Sequence, residues 1–228
     1  SAKKHTIQTA AYDIQLLFPV LFLVGIGIVM VYSASSAVAL KKFGSDYLFL
    51  KKQALFALVG IIALVICRHF PYRWYRPLTY PLLALALFFL IAIQVTDFGY
   101  SAGGSARWLR LGQFSFQPSE FARFAMVVFL AYSLEKKAEK IKEFSVGFLP
   151  HVLVFGAFAV CIFKQPDFGS ILIIAAVTWL MMFVGGVRSL HLFPSLIALL
   201  PVAYYFLINA EYRVKRILSF LDPWQYPA

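Results

Sequence analysis

Acidic residues are scarce in this chain. Ten Asp and Glu stand against 21 Lys and Arg in 228 residues, a net charge of +11, and charged residues of both signs make up only 14% of the sequence. A soluble domain usually has about a quarter of its residues charged, so the shortage argues against a water-soluble globule. Cysteine is nearly absent too. Cys67 and Cys161 both lie inside apolar runs, which fits buried thiols and excludes a disulfide framework or a cysteine-rich metal site. The histidines, His5, His69, His151 and His191, have no ligand spacing. With no Walker loop, no dinucleotide fingerprint and no HExxH, ATP-driven transport and zinc chemistry have no support. The positive charge forms no basic stripe with interleaved surface aromatics, so nucleic acid is not a partner and anionic lipid is the simpler one.

What the chain has instead is grease. It is 61% hydrophobic and 18% aromatic, with 24 Phe, and its mean hydropathy is +0.79. Uncharged runs cover Ile14–Leu40, Gln53–Cys67, Pro77–Thr96, Phe124–Leu134, Phe144–Phe163, Phe168–Val187 and Ser189–Ala210. A helix needs about 20 residues to cross the hydrocarbon core, within about 17–25. Five runs meet this alone. The run at Gln53 reaches it if Lys51, Lys52 and Arg68 snorkel, and the run at Phe124 must extend backwards through Glu120 and Arg123. The expectation is an all-α polytopic membrane protein, one transmembrane domain over residues 1–228 with about seven spanning helices. Sorted by helix parity, the 21 cations divide almost evenly between the two faces, so the positive-inside rule does not assign an orientation. The chain ends in a loop, Asp222-Pro-Trp-Gln-Tyr-Pro-Ala228, and reads as the front part of something longer.

Four connecting segments could carry chemistry. In the first, GGSARWLRLGQFSF, Gly103 and Gly104 permit close approach of a ligand to backbone, and Arg107 and Arg110 present planar forks suited to phosphate or carboxylate. A plain interfacial loop is an equal reading. In Gln117-Pro118-Ser119-Glu120, a proline opens a helix whose positive end faces the acid; Arg123 lies one turn on, so Glu120 and Arg123 either serve a site or merely neutralise each other. Lys164-Gln-Pro-Asp167-Phe-Gly is a tight turn, and taken alone a local Lys164–Asp167 ion pair is its simplest account. In Glu211–Trp224, Arg213 and Arg216 with Lys215 would form a cationic ridge beside Asp222, suited to a transfer with a phosphate leaving group. An amphipathic interfacial helix explains that stretch equally well.

Together the pieces MVYSASS (30–36), GGSARWL (103–109), QPSEFAR (117–123), KQPDFGS (164–170) and YRVKRILSFLDPW (212–224) resemble the SEDS family of bacterial cell-wall polymerases. The first two are closer to its division type than to its elongation type. The resemblance covers the whole chain in order. It implies a fold of about ten helices, of which this would be the N-terminal part. It also implies a cytoplasmic N-terminus in the bacterial inner membrane, an extracytoplasmic loop at 97–119, and the start of a large extracytoplasmic loop at 209–228. The implied activity is polymerisation of lipid II, with undecaprenyl pyrophosphate leaving, assisted by a divalent cation such as Mg2+ or by protein cations alone. A class B penicillin-binding protein and other cell-division membrane proteins are the implied partners. On this reading Gly103, Gly104, Arg107, Arg110, Lys164, Arg213 and Arg216 bind substrate, Asp222 is the general base, and Gln117, Glu120, Arg123 and Asp167 support them. Two positions depart from the family pattern: Arg123 stands where a lysine is usual, and Tyr226 where a second Asp is expected. Either Asp222 takes the base role or the base lies beyond Ala228, and without the last three helices this stretch alone is expected to be inactive. A flippase for the lipid-linked precursor and a non-enzymatic division scaffold are the alternatives.

Overall fold

The computed structural model describes residues 13–45, 47–69, 71–95, 99–102, 105–111 and 114–208. They fall into two compact units, Ser1–Pro71 and Tyr72–Ala228. The first holds α1 (Ile14–Phe43) and α2 (Leu48–His69), which pack side by side. Asp13 starts α1 by accepting from the backbone N–H of Gln15 and Leu16 at 3.1 and 3.3 Å, satisfying two of the donors a helix start leaves open. Gly44 stops it at φ 70°, a left-handed cap open to glycine without strain. Lys51, Lys52 and Arg68 lie within α2, as snorkelling requires, and none of its residues is buried in the protein. The surface of this pair is one that lipid would cover.

The second unit holds α3 (Tyr75–Val95), a three-stranded sheet, α4 (Pro118–Lys136), α5 (Leu149–Phe163), α6 (Phe168–Val184) and α7 (Ser189–Ile208). The seven α-helices among the described residues follow the seven apolar runs. Ile14–Ser36, Leu48–His69, Tyr75–Val95 and Phe144–Phe163 are long and apolar enough to cross a bilayer by length and composition, and the chain is a multi-pass membrane protein. Helix α4 does start upstream of Glu120, at Pro118, as its short apolar run demanded.

Helix α4 is the centre of this unit and touches α3, α5 and α6. Ala122, Ala125, Met126, Phe129, Leu130 and Leu134 are buried along it, and small residues there and at Ala86 of α3 let the backbones approach. Lipid tails supply no hydrophobic drive between helices, so close packing and interhelical hydrogen bonds must hold them. One such bond set fixes α5 to α4. Buried His151 lies 2.7 Å through Nδ1 from the carbonyl of Gly147 and 3.0 Å through Nε2 from Ser133 Oγ. A carbonyl only accepts, so Nδ1 donates, and Nε2 is left to accept from the serine. Gly147 sits in a π-helical turn, Phe144–Phe148, that extends α5. A Cβ there would lie 1.8 Å from the carbonyl oxygen of Ile141. Only glycine fits.

Candidate functional site at one end of the second unit

The end of α3, the start of α4, the end of α5 and the start of α6 share one end of this unit, together with the sheet. The sheet is the described part of the loop expected at 97–119. It comprises β1 (Gly99–Ala102), β2 (Ser105–Leu111) and β3 (Phe114–Phe116), antiparallel in sequence order. Tyr100 pairs with Trp108 and Ser101 with Ala106, so the register skips Arg107, which is the extra residue of a bulge. Bulges recur beside active sites, where they break the ladder and re-aim the chain. Arg110 lies two residues past Trp108, opposite Ser115. The sheet is fastened by rings: Phe116 meets Phe89 of α3 at 5.7 Å edge-on and Phe121 of α4 at 6.3 Å, and Phe89 meets Phe121 at 5.8 Å. Such pairs contribute about 0.5–1.5 kcal/mol each beyond area burial.

Beside the sheet, Asp167 joins two helix starts. Its Oδ2 accepts from Gln117 Nε2 at 2.9 Å, from Ser119 Oγ at 3.3 Å and from Ser170 Oγ at 2.7 Å, while Oδ1 accepts from the Ser170 N–H at 3.4 Å. The two hydroxyl oxygens lie 3.1 Å apart. Asp167 is the N-cap of α6, and Gln117 and Ser119 open α4, so the positive ends of two helix dipoles converge on one buried carboxylate. This corrects the expected Lys164–Asp167 ion pair. Among the described residues the ion pairs are Arg76–Glu135 and Arg123–Glu120, and Lys164 is exposed on the turn. Position decides it: a helix-capping aspartate turns its oxygens into the helix start, where neutral donors already wait.

Glu120 and Arg123 do pair, through both guanidinium ends, at 3.0 and 3.1 Å. Arg123 Nε is buried without a hydrogen-bond partner among the described residues. Four polar residues were not singled out from the sequence. Ser119 and Ser170 complete the Asp167 cluster, and buried Gln165 donates to the carbonyl of Leu90 at 3.1 Å, tying the α5–α6 turn to α3. Gln94 works beside it, donating to the Leu90 and Cys161 carbonyls at 2.8 and 3.0 Å. Their signal was present: each is a polar residue at the edge of an apolar run, where a buried amide or hydroxyl must find a partner.

Gly103, Gly104, Arg213, Arg216 and Asp222 lie outside the described residues, as does the stretch at 209–228. The structure therefore brings Gln117, Glu120, Arg123, Lys164 and Asp167 to one end with the strand that carries Arg107 and Arg110. No group of three or more His, Cys, Asp or Glu that could hold a metal ion occurs among the described residues. What the described arrangement offers is an anion-attracting end. Two helix starts, an exposed lysine and a bulged strand with two arginines meet there, over a buried acid both of whose oxygens accept hydrogen bonds.

The family description for cell cycle proteins that groups FtsW, RodA and SpoVE matches residues 14–228. The chain is 38% identical over 225 residues to the probable peptidoglycan glycosyltransferase FtsW of Geobacter metallireducens, covering 99% of this chain and 60% of that protein. It is 38% identical over 224 residues to the stage V sporulation protein E of Bacillus subtilis, covering 97% of this chain and 61% of that one. Among solved structures it resembles a chain of a peptidoglycan synthase complex that coordinates polymerization and crosslinking. There the TM-score is 0.71 and the identity 28%, over 94% of this chain and 60% of the other. It also resembles the rod shape determining protein RodA of Thermus thermophilus, with a TM-score of 0.65 and 25% identity over 85% of this chain and 60% of that one. The chain thus spans about 60% of the length of these relatives.

Proposed function

The chain belongs to the FtsW, RodA and SpoVE family of cell cycle proteins, and on that premise we propose that the whole protein is a peptidoglycan glycosyltransferase of cell division. Its substrate would be lipid II, and its site the end of the second unit that carries the sheet. The 4-hydroxyl of one lipid-linked disaccharide attacks the anomeric carbon of the terminal sugar of another chain. A glycosidic C–O bond forms, the bond to the diphosphate breaks, undecaprenyl pyrophosphate leaves, and a base takes the hydroxyl proton. Arg107, Arg110, Arg213, Arg216 and Lys164 neutralise the charge that builds on the leaving diphosphate. Gly103 and Gly104 admit the substrate close to backbone, and Asp222 takes the proton. The Asp167 cluster and the Glu120–Arg123 pair hold the helix starts in place. Any divalent cation would have to draw ligands from residues such as Asp222. The inner membrane, a cytoplasmic N-terminus and a class B penicillin-binding protein as partner belong to the same proposal.

The observation that carries this reading is the meeting of the α4 and α6 starts around Asp167 beside the strand of Arg107 and Arg110. That end is suited to attract an anion, and its Asp167 brace is made by neutral donors rather than by Lys164. The test is lipid II polymerisation by the full-length protein in detergent, where flipping between compartments has no meaning. Arg107→Ala should reduce glycan synthesis at least about a hundredfold, the loss seen when one charge-stabilising group is removed. Glu120→Ala, which takes the partner of Arg123 at the start of α4, should also abolish synthesis. Both should keep normal membrane insertion. Near-wild-type synthesis by both variants rejects the site. Wild-type protein that makes no glycan in detergent yet moves precursor across vesicles would mark a flippase. Loop-charge variants that leave division intact would mark a scaffold.

A further inference from the structure

Helices α3 and α4 do not close on each other along their full length. At the end remote from Asp167 they leave a groove of about 220 Å3, lined by Tyr75 and Arg76 of α3 and by Val128, Ala131, Tyr132 and Glu135 of α4. Thr79 also faces it, but its hydroxyl is turned onto the Tyr75 carbonyl at 3.0 Å, so it adds little polarity. Small-molecule pockets run from about 300 to 1,000 Å3, so this groove suits a slender chain better than a ring system. Its polar groups gather at the mouth. Arg76 opens α3 and Glu135 closes α4, and they pair there through one guanidinium nitrogen, both side chains being about half exposed or more. Lys136 donates to the Tyr132 hydroxyl at 3.3 Å and stands 5.5 Å over its ring. Past the mouth, over residues 136–143, Lys136, Lys137, Lys140 and Lys142 outnumber Glu139 and Glu143.

An apolar slot between two membrane helices, with cations at headgroup depth, has the charge pattern of a phosphate-bearing acyl lipid. We propose that this groove binds one anionic phospholipid, from the leaflet opposite the candidate active end. Its acyl chain lies along Val128 and Ala131, and its phosphate rests against Arg76 and Lys136. Zwitterionic lipid presents the same chains, but its own cation would compete with Arg76 and Lys136 for the phosphate.

Native mass spectrometry of the full-length protein, from micelles doped with phosphatidylglycerol or with phosphatidylcholine of the same chains, tests this. Wild type should retain one phosphatidylglycerol under activation that strips phosphatidylcholine. Arg76→Gln should lower retention about fivefold, the ~1 kcal/mol of one surface cation. Glu135→Gln should raise it, because it frees the guanidinium. Both substitutions break the same ion pair, so a merely structural loss would move them in the same direction and overturn the proposal. Ala131→Phe fills the slot and should abolish retention; Val128→Phe serves if that variant fails to keep its helical circular dichroism. Equal retention of the two lipids, bound lipid surviving in the filled variant, or no retention because the rest of the full-length chain covers the groove would each overturn it.

Discussion

At Asp167, three donors, buried Ser119 and Ser170 and half-buried Gln117, depend on one oxygen, so its loss should be felt more strongly than an ordinary surface contact. Asp167→Ala leaves Gln117 without this acceptor and Ser119 and Ser170 with only each other, and it removes a helix cap, for an expected loss of roughly 3 kcal/mol. Asp167→Asn should fall between, since asparagine caps well and its carbonyl can take the Oδ2 place. Lys164→Ala should stay within about 0.5 kcal/mol of wild type. Thermal unfolding in detergent ranks the three, and equal losses at 164 and 167 would restore the local ion pair. Gly147 offers a second case in which two effects oppose. Alanine gains about 1 kcal/mol of helix propensity, yet its methyl would drive into the Ile141 carbonyl, and overpacking costs about 1–3 kcal/mol. Because backbone yields less than a side chain, the clash should win, and Gly147→Ala should melt earlier than wild type. A higher melting point would show that the π-helical turn relaxes freely. Glu120 and Arg123 were legible in the sequence because their pairing is local, one helical turn apart. Asp167's partners at 117 and 119 were not, because sequence spacing says nothing about which helix start will lie beside which.

Among the elements, the sheet is the part that local pattern concealed. The helices could be read because a run of about 20 apolar residues is a local length signal. The segment 99–116 mixes Arg, Trp, Leu and Gly without strict alternation, and its strands exist through pairing and through the rings beneath them. The sheet should therefore be separable from the bundle. Phe116→Ala deletes two ring contacts worth about 0.5–1.5 kcal/mol each, so amide exchange in β2 should quicken roughly tenfold while α4 and α5 keep their protection. Unchanged exchange across 105–111 would mean that something other than Phe116 holds the sheet down. Helix α4 teaches the opposite lesson: its apolar run was too short, so extension back through Glu120 followed from the bilayer's thickness, and proline's place in a first helical turn marked the start at Pro118.

Across the whole molecule, charge could not orient the chain, but the packing of the second unit makes a sidedness statement that does not depend on it. Glu120 and Lys164 belong to one end, Lys140 and Arg188 to the other. Single cysteines placed at these positions, after Cys67 and Cys161 are replaced, should react with a membrane-impermeant maleimide in two groups: 120 with 164 from one side of sealed vesicles, 140 with 188 from the other. Reaction of 120 and 164 from opposite sides would break the helix order. The same end of the unit relies on two kinds of electrostatics that answer differently to the medium. The Asp167 cluster is a set of bonds from neutral donors to a buried carboxylate, out of reach of dissolved ions. The proposed grip on a diphosphate would not be, because screening at 0.15 M already acts over about 8 Å. Rising potassium chloride should therefore empty the substrate end long before it softens the frame that carries it.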